Sequence, residues 1–338
     1  FLLVYCFIAS LIPVWILLQP RGHLGGYFMY ASLLTAALGL IFGGFSINFP
    51  AFIDLNGTNN SSPMFPLLFV TVACGACSGF HAMVSSGTTS KQLKKESDSK
   101  IVGYGMMLME ALVAVVALAC LMIISKDDVL VKSSPNFIFA SGIGKFVQLI
   151  GIPAALGISF GLMAFTTFVY DTLDVCTRLA RYIIQELTGW TNLAGKAFAT
   201  ALSIGVPLFF VTMRLTDASG NAVSAWKMFW NIFGASNQLL AALALLAVTV
   251  WLFNTSKYRW AWLVTFLPAI WMFIMSNWAL LLLIKNNWFV DNVLTLNSKP
   301  VPIISLILLL LSIFLAIEVI YTIIKNRKEH SIIGETVA

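Results

Sequence analysis

Nine stretches of this chain, each close to the length of a bilayer crossing, carry almost no charge: residues 1–19, 27–46, 64–84, 101–125, 149–172, 196–214, 229–253, 260–284 and 301–324. A helix of about 20 apolar residues, rising 1.5 Å per residue, matches the hydrocarbon thickness of a membrane. In lipid each backbone N–H and C=O must be satisfied within the protein, which leaves helices or a closed barrel. The short alternating strands of a barrel are not seen in the sequence. Hydrophobic residues make up 59% and charged residues 10%, where a soluble domain carries about 25% charged. The expected fold class is therefore all-α, a polytopic transmembrane helix bundle forming a single membrane domain over residues 1–338.

Two further helices are expected between the spans. "TLDVCTRLARYIIQELTGW" has Arg178, Arg181 and Glu186 on one polar side, so it reads as an amphipathic helix along the membrane surface. "FASGIGKFVQL" reads as a short helix ahead of the fifth span. With nine spans, thirteen of the 20 Lys and Arg fall on one side, among them Arg21, Lys91, Lys94, Lys95, Lys100, Arg259 and Lys328. Seven, including Arg214 and Lys299, fall on the other. Basic residues concentrate on the cytoplasmic side, so Phe1 is expected outside and the C-terminal tail in the cytoplasm. Phe1 already lies in an apolar run with no charged region before it, so the expectation is a chain whose N-terminal part is missing. "DLNGTNNSSP" is a polar outside turn with Asn-x-Ser/Thr triplets. No basic patch is interleaved with aromatics, so nucleic acid is not an expected partner. Cys74 and Cys77 make a CxxC, but their span offers no second ligand pair, and small buried side chains are the expectation.

An ionisable residue at mid-bilayer costs about 2.5–3.5 kcal/mol on insertion scales, so each needs a partner or a task. Glu110 lies near the middle of "IVGYGMMLMEALVAVVALACLMIIS" with no basic residue in that span. It pairs across helices, lines a wet cavity or carries a proton. "GFHAMVSSGTTSKQL" places His81 with Ser85, Ser86, Thr88 and Thr89 at the end of an apolar span, with Gly75 and Gly79 in GxxxG spacing. One reading is a broken helix end that holds an ion or a carboxylate. The other is a C-cap at Gly87. Histidine gains or loses a proton near neutral pH, which suits a coupling role.

In "FTTFVYDTLDVCTRLAR", Asp174 and Arg178 stand at i and i+4, acid first, the spacing of a structural ion pair. Asp171 has no such partner in its own helix. Thr166, Thr167 and Thr172 surround it in sequence, and hydroxyls with a carboxylate can coordinate a hard cation such as Na⁺. Its charge otherwise needs a basic residue from another helix or a proton. In "FGASNQLLAALAL", Asn237 and Gln238 offer adjacent amides for substrate or for an interhelical hydrogen bond. Glu318, seven residues before Lys325, is expected to snorkel or pair near the interface.

"FPLLFVTVACGACSGFHAMVSSGTTSKQL", "IVGYGMMLMEALVAVVALA", "DTLDVCTRLARYIIQEL" and "FGASNQLLAALAL", with "LIPVWILLQPRGHL" near the start, resemble in order the signatures of the carbon starvation protein A family of bacterial inner-membrane transporters. The resemblance covers essentially the whole chain. It implies ion-driven uptake of small nutrients, pyruvate or peptides. It also implies kinship with the amino acid–polyamine–organocation superfamily, whose fold is two inverted five-helix repeats around broken helices. The family's preceding Gly- and His-rich membrane motif is not in this sequence. The match favours His81 to Thr89 as lining a transport pathway. The expected partners are the lipid bilayer and a small-molecule substrate, with no resident cofactor and H⁺ or Na⁺ as coupling ion. Oligomeric state is not legible. A membrane hydrolase using His81 with Ser85 or Ser86 would need an oxyanion site and an oriented base, and neither a GxSG nor an HExxH pattern is present. A structural or sensory subunit is the third reading, told apart by a lack of flux.

Overall fold

The computed structural model describes residues 1–52, 54–55, 63–213, 215–216, 222–258, 260–290, 293–294 and 300–336. The Asn-x-Ser/Thr triplets, Arg214, Arg259 and Lys299 lie outside them. Among the described residues, eight helices are long and apolar enough to cross a membrane, which makes this an all-α, multi-pass membrane protein. Large apolar side chains such as Leu34, Val115, Phe209, Leu267 and Phe314 are exposed, as expected where the surrounding solvent is lipid.

The chain forms two compact units. The first comprises residues 1–53 and 87–209. It opens with α1 (Leu2–Leu11) and α2 (Val14–Phe42). The expected first span is cut at Ile12, which is extended because Pro13 follows it. The chain then runs as one helix through Pro20 and Arg21, joining the rest of that span, its loop and the second span. This corrects the nine-span reading: Pro20 does not end the helix, as proline is tolerated where packing supports a spanning segment.

After a wide turn at Lys100–Gly105 come α5 (Met106–Met122) and α6 (Pro135–Gln148). The short helix α6 is the most buried element of this unit. Phe139, Ile143 and Phe146 meet Ala36, Val116 and Cys120 in its core. Then α7 (Ala154–Thr188) runs unbroken for 35 residues. The amphipathic segment expected along the surface is thus the second half of α7, since nothing between Phe168 and Gln185 interrupts helical hydrogen bonding and Gly189, at φ 72°, ends it. Gly144, Gly157 and Gly161 let α6 and α7 approach closely, as small residues do between membrane helices. α8 (Leu193–Thr212) completes the unit, with Thr200 Oγ1 3.5 Å from Ser10 Oγ.

The second unit comprises residues 54–86 and 210–338. Its first span is broken: a wide turn at Met64–Leu68 leads into α3 (Phe69–Val72) and a tight turn at Ala73–Gly75, and α4 (Gly79–Val84) starts after a non-helical step at Ser78. Ser85–Thr89 continues from α4 as a wide helical turn. α9 (Ala225–Thr255) and α10 (Ala261–Trp288) pack on it, and α11 (Pro300–Thr336) packs on both of them. Leu67, Val70, Leu239, Leu280 and Val301 lie in their common core. Neutral hydrogen bonds tie these helices: Thr249 Oγ1 to Thr265 Oγ1 at 2.8 Å, and Ser312 Oγ donating to Asn277 Oδ1 at 2.6 Å.

Candidate functional site

In the first unit, α1, α2 and α7 bring together a group of charged side chains that no single sequence window contains. Arg21 Nε donates to Asp171 Oδ1 at 2.8 Å, and Arg21 Nη2 lies 2.7 Å from Asp174 Oδ2. Tyr5 bridges the pair: it accepts from Arg21 Nη1 at 2.7 Å and donates to Asp174 Oδ2 at 3.2 Å. Asp174 is 3% exposed, and its second oxygen, Oδ1, has no hydrogen-bond partner. One guanidinium therefore serves two carboxylates, and the cluster carries one surplus negative charge. Asp171 packs on the backbone of α2 because residue 25 is glycine; a Cβ there would stand 2.7 Å from Asp171 Oδ2.

This geometry corrects the expected Asp174–Arg178 pair. Arg178 is turned toward the end of α1, where its Nη2 donates to the carbonyls of Ala9 at 2.5 Å and Ile12 at 2.8 Å. The Ala9 carbonyl lies in the last turn of α1 and that of Ile12 just beyond it, where unpaired oxygens and the helix dipole draw a cation. Asp174 takes the guanidinium from α2 instead. The partner of Asp171 is likewise Arg21. The hydroxyls of Thr166, Thr167 and Thr172 each donate to the carbonyl four residues back, so their protons are committed to their own helix. Tyr5, Arg21 and Gly25 are not among the residues the sequence singled out: residues 20–26 fall between the first two expected spans, whereas the structure places Arg21 and Gly25 inside α2.

In the second unit, the broken helix is held by α9. Asn237 Oδ1 accepts from the Phe80 N–H at 2.7 Å and from Ser78 Oγ at 3.4 Å. Ser78 caps α4 by accepting from the His81 N–H at 3.3 Å. Gly79 is required here, since a Cβ would collide with the Asn237 carbonyl and Leu240. Its GxxxG partner Gly75 faces open space. Gln238 is 0% exposed and neither of its amide atoms has a hydrogen-bond partner; Asn237 Nδ2 has none either. Two donors and one acceptor are thus uncommitted in a buried setting, a costly arrangement unless a ligand or water completes it.

The break thus falls before His81, at Ala76–Ser78, and not at the hydroxyl-rich segment after it. Ser85 and Ser86 are exposed and donate to the carbonyls of Ala82 and Met83. Gly87 has no left-handed conformation and is no C-cap. His81 is exposed, Thr88 is buried and Thr89 is half-buried. In the first unit Glu110, on α5, is half-buried. Cys74 and Cys77 are half-buried free thiols, and Glu318 is exposed.

Apolar helices long enough to span, a buried ion-pair cluster and a broken helix define the class of protein: a polytopic membrane protein with polar groups set inside its helical bundle. The profile of the family described as Carbon starvation protein CstA matches residues 1–136 and 122–279, and the chain belongs to that family. It is similar to the peptide transporter CstA of Helicobacter pylori strain ATCC 700392 / 26695, with 31% identity over 79% of this chain and 47% of the relative. It is similar at 30% to the pyruvate/proton symporter BtsT of Escherichia coli K12, over 82% of this chain and 49% of the relative. The peptide transporter CstA of Bacillus subtilis strain 168 is 30% identical over 86% of this chain and 53% of the relative. The chain spans about half the length of the curated relatives it matches. No solved structure matches it.

Proposed function

We propose that this chain is part of a secondary active transporter that takes up a small carboxylate nutrient, pyruvate or a short peptide, with a proton as coupling ion. The observation that carries the reading is the pairing of Asp171 and Asp174 with the single cation Arg21. Two carboxylates around one guanidinium leave one negative charge in a poorly hydrated place. One proton neutralises that formal charge. Asp171 is the better proton carrier, since its side chain is 26% exposed and that of Asp174 is 3% exposed. The relative named as a pyruvate/proton symporter supports the same ion.

Substrate recognition is assigned to the uncommitted amides of Asn237 and Gln238 beside the helix break. Amide donors suit a carboxylate, and donor and acceptor together suit a peptide. His81, Ser85, Ser86, Thr88, Thr89 and Glu110 remain pathway candidates. The protein is placed in the bacterial inner membrane with its C-terminus in the cytoplasm, from the basic residues of the tail.

The test is uptake by the intact protein in proteoliposomes under an imposed inward proton gradient. Asp171→Asn is expected to abolish accumulation of labelled pyruvate and of a dipeptide while leaving exchange across the membrane measurable. Unchanged accumulation in that variant overturns the coupling role. Accumulation driven by Na⁺ and not by H⁺ replaces the proton.

A further inference from the structure

The second half of α7 holds a set of cations that the ion-pair cluster does not use. Arg181 is 5% exposed, and its Nε has no hydrogen-bond partner. Its guanidinium lies over the ring of Tyr182, with Cζ 4.7 Å from the centroid. Lys91 Nζ lies 5.6 Å from the centroid of the same ring. Arg178, one turn earlier, also flanks the Tyr182 phenol, while its Nη2 is occupied by the α1 carbonyls. Among the described residues, the carboxylates of Asp171 and Asp174 are drawn to Arg21, and no ion pair reaches Arg178, Arg181 or Lys91. The acid nearest in sequence, Glu186, is exposed and forms no such pair.

Three cations thus surround one phenol with no carboxylate to balance them. A buried guanidinium without an anionic partner is unfavourable. The cation–π contacts offset only a part of this. The missing partner is an anion with several acceptor oxygens, because a guanidinium fork pairs such a group in two places at once.

We propose that Arg181, Lys91 and Tyr182, backed by Arg178, form a binding site for an anionic phosphate group, presented by a phospholipid headgroup. The lipid is favoured over a free ion by the position of the site. The chain is a multi-pass membrane protein, and Lys91 opens an exposed basic segment with Lys94, Lys95 and Lys100. Basic segments next to spanning helices concentrate anionic headgroups. The site is independent of the proton-coupling reading, since it shares no carboxylate with it.

The experiment measures thermal unfolding of the intact protein in phosphatidylcholine bicelles, with phosphatidylglycerol added in one arm and inorganic phosphate in the other. Phosphatidylglycerol is expected to raise the Tm of the wild type by several degrees. Arg181→Gln is expected to remove that shift. Arg181 is buried and its replacement can fail to fold, so Lys91→Gln, at an exposed position, serves as the second variant and is expected to roughly halve the shift. A shift produced equally by inorganic phosphate supports the site and assigns the free anion as its ligand. A shift from phosphatidylglycerol that is the same in wild type and Lys91→Gln, or no shift with either anion, overturns the proposal.

Discussion

The two units of this protein bury polar chemistry of opposite kinds. The first holds formal charge: Arg21, Asp171 and Asp174 in contact, with Tyr5 bridging two of them. The second holds neutral groups: Asn237 on the broken helix, Ser312 on Asn277, Thr249 on Thr265. The difference has a physical consequence. A charge cluster with an odd count changes its balance when one proton arrives. A set of amides and hydroxyls is indifferent to pH near neutrality and responds to ligands that complete its hydrogen bonds. Under the proposed function, the first unit takes up the proton and the second the polar solute.

The sharpest test of that contrast is to remove its one shared cation. Arg21→Met leaves buried Asp174 and half-buried Asp171 without their cation, and breaking a buried pair of this kind costs about 3–5 kcal/mol. Thermal unfolding in detergent should show the largest loss of any single change discussed here. A melting point close to that of the wild type would mean the cluster is not charged in the folded protein. In the second unit, Asn237→Ala is expected to cost less, about 1–3 kcal/mol, because it orphans the buried Phe80 N–H without stranding a charge. If it proves more damaging than Arg21→Met, the distinction between the units fails.

Smaller effects sharpen the picture within each unit. Tyr5→Phe keeps the ring over Arg21 and removes only the bridging hydroxyl, so a loss near 1 kcal/mol is expected in the same melting assay. Gln238→Leu should leave stability unchanged or slightly raised, because both atoms of the amide are already without partners. The same variant should raise the KM for uptake at least several-fold. An unchanged KM together with a lowered melting point would identify Gln238 as a packing residue.

Much of the fold was legible before any coordinates. The spans at 196–214, 229–253 and 260–284 lie within a few residues of α8, α9 and α10, and α6 was visible as "FASGIGKFVQL", whereas α7 runs on from its expected end at residue 172 to Thr188. The errors have local causes. "QPRG" carries two residues common in turns, yet α2 passes through it, because Arg21 is anchored on α7 and not in water. The Asp174–Arg178 spacing satisfies the rule for a helix-surface pair, yet both side chains are buried and each met a stronger partner on another helix. Rules of spacing describe exposed helix faces and fail where a third element supplies the contact. The hydroxyl-rich stretch after His81 looked like the break, whereas the chain departs from the helix at Ser78, where Asn237 from α9 takes over the backbone.

The sequence by itself determined the solvent this protein lives in and the secondary structure that follows. Apolar runs of bilayer length leave the backbone no partner but itself, and helices are then obligatory. It also determined which residues needed explaining, since an acid or an amide in such a run is conspicuous whatever it touches. Only the tertiary structure decided the partners. Tyr5 and Asp174 are separated by 169 positions, Arg21 and Asp171 by 150, and Phe80 and Asn237 by 157. Across such distances the choice of partner depends on which helices pack together. That is set by small residues such as Gly25 and Gly79, which let α7 and α9 approach a neighbouring backbone. Electrostatic and hydrogen-bond energies fall steeply with separation, so these close approaches, and not the order of residues along the chain, decide which polar groups meet.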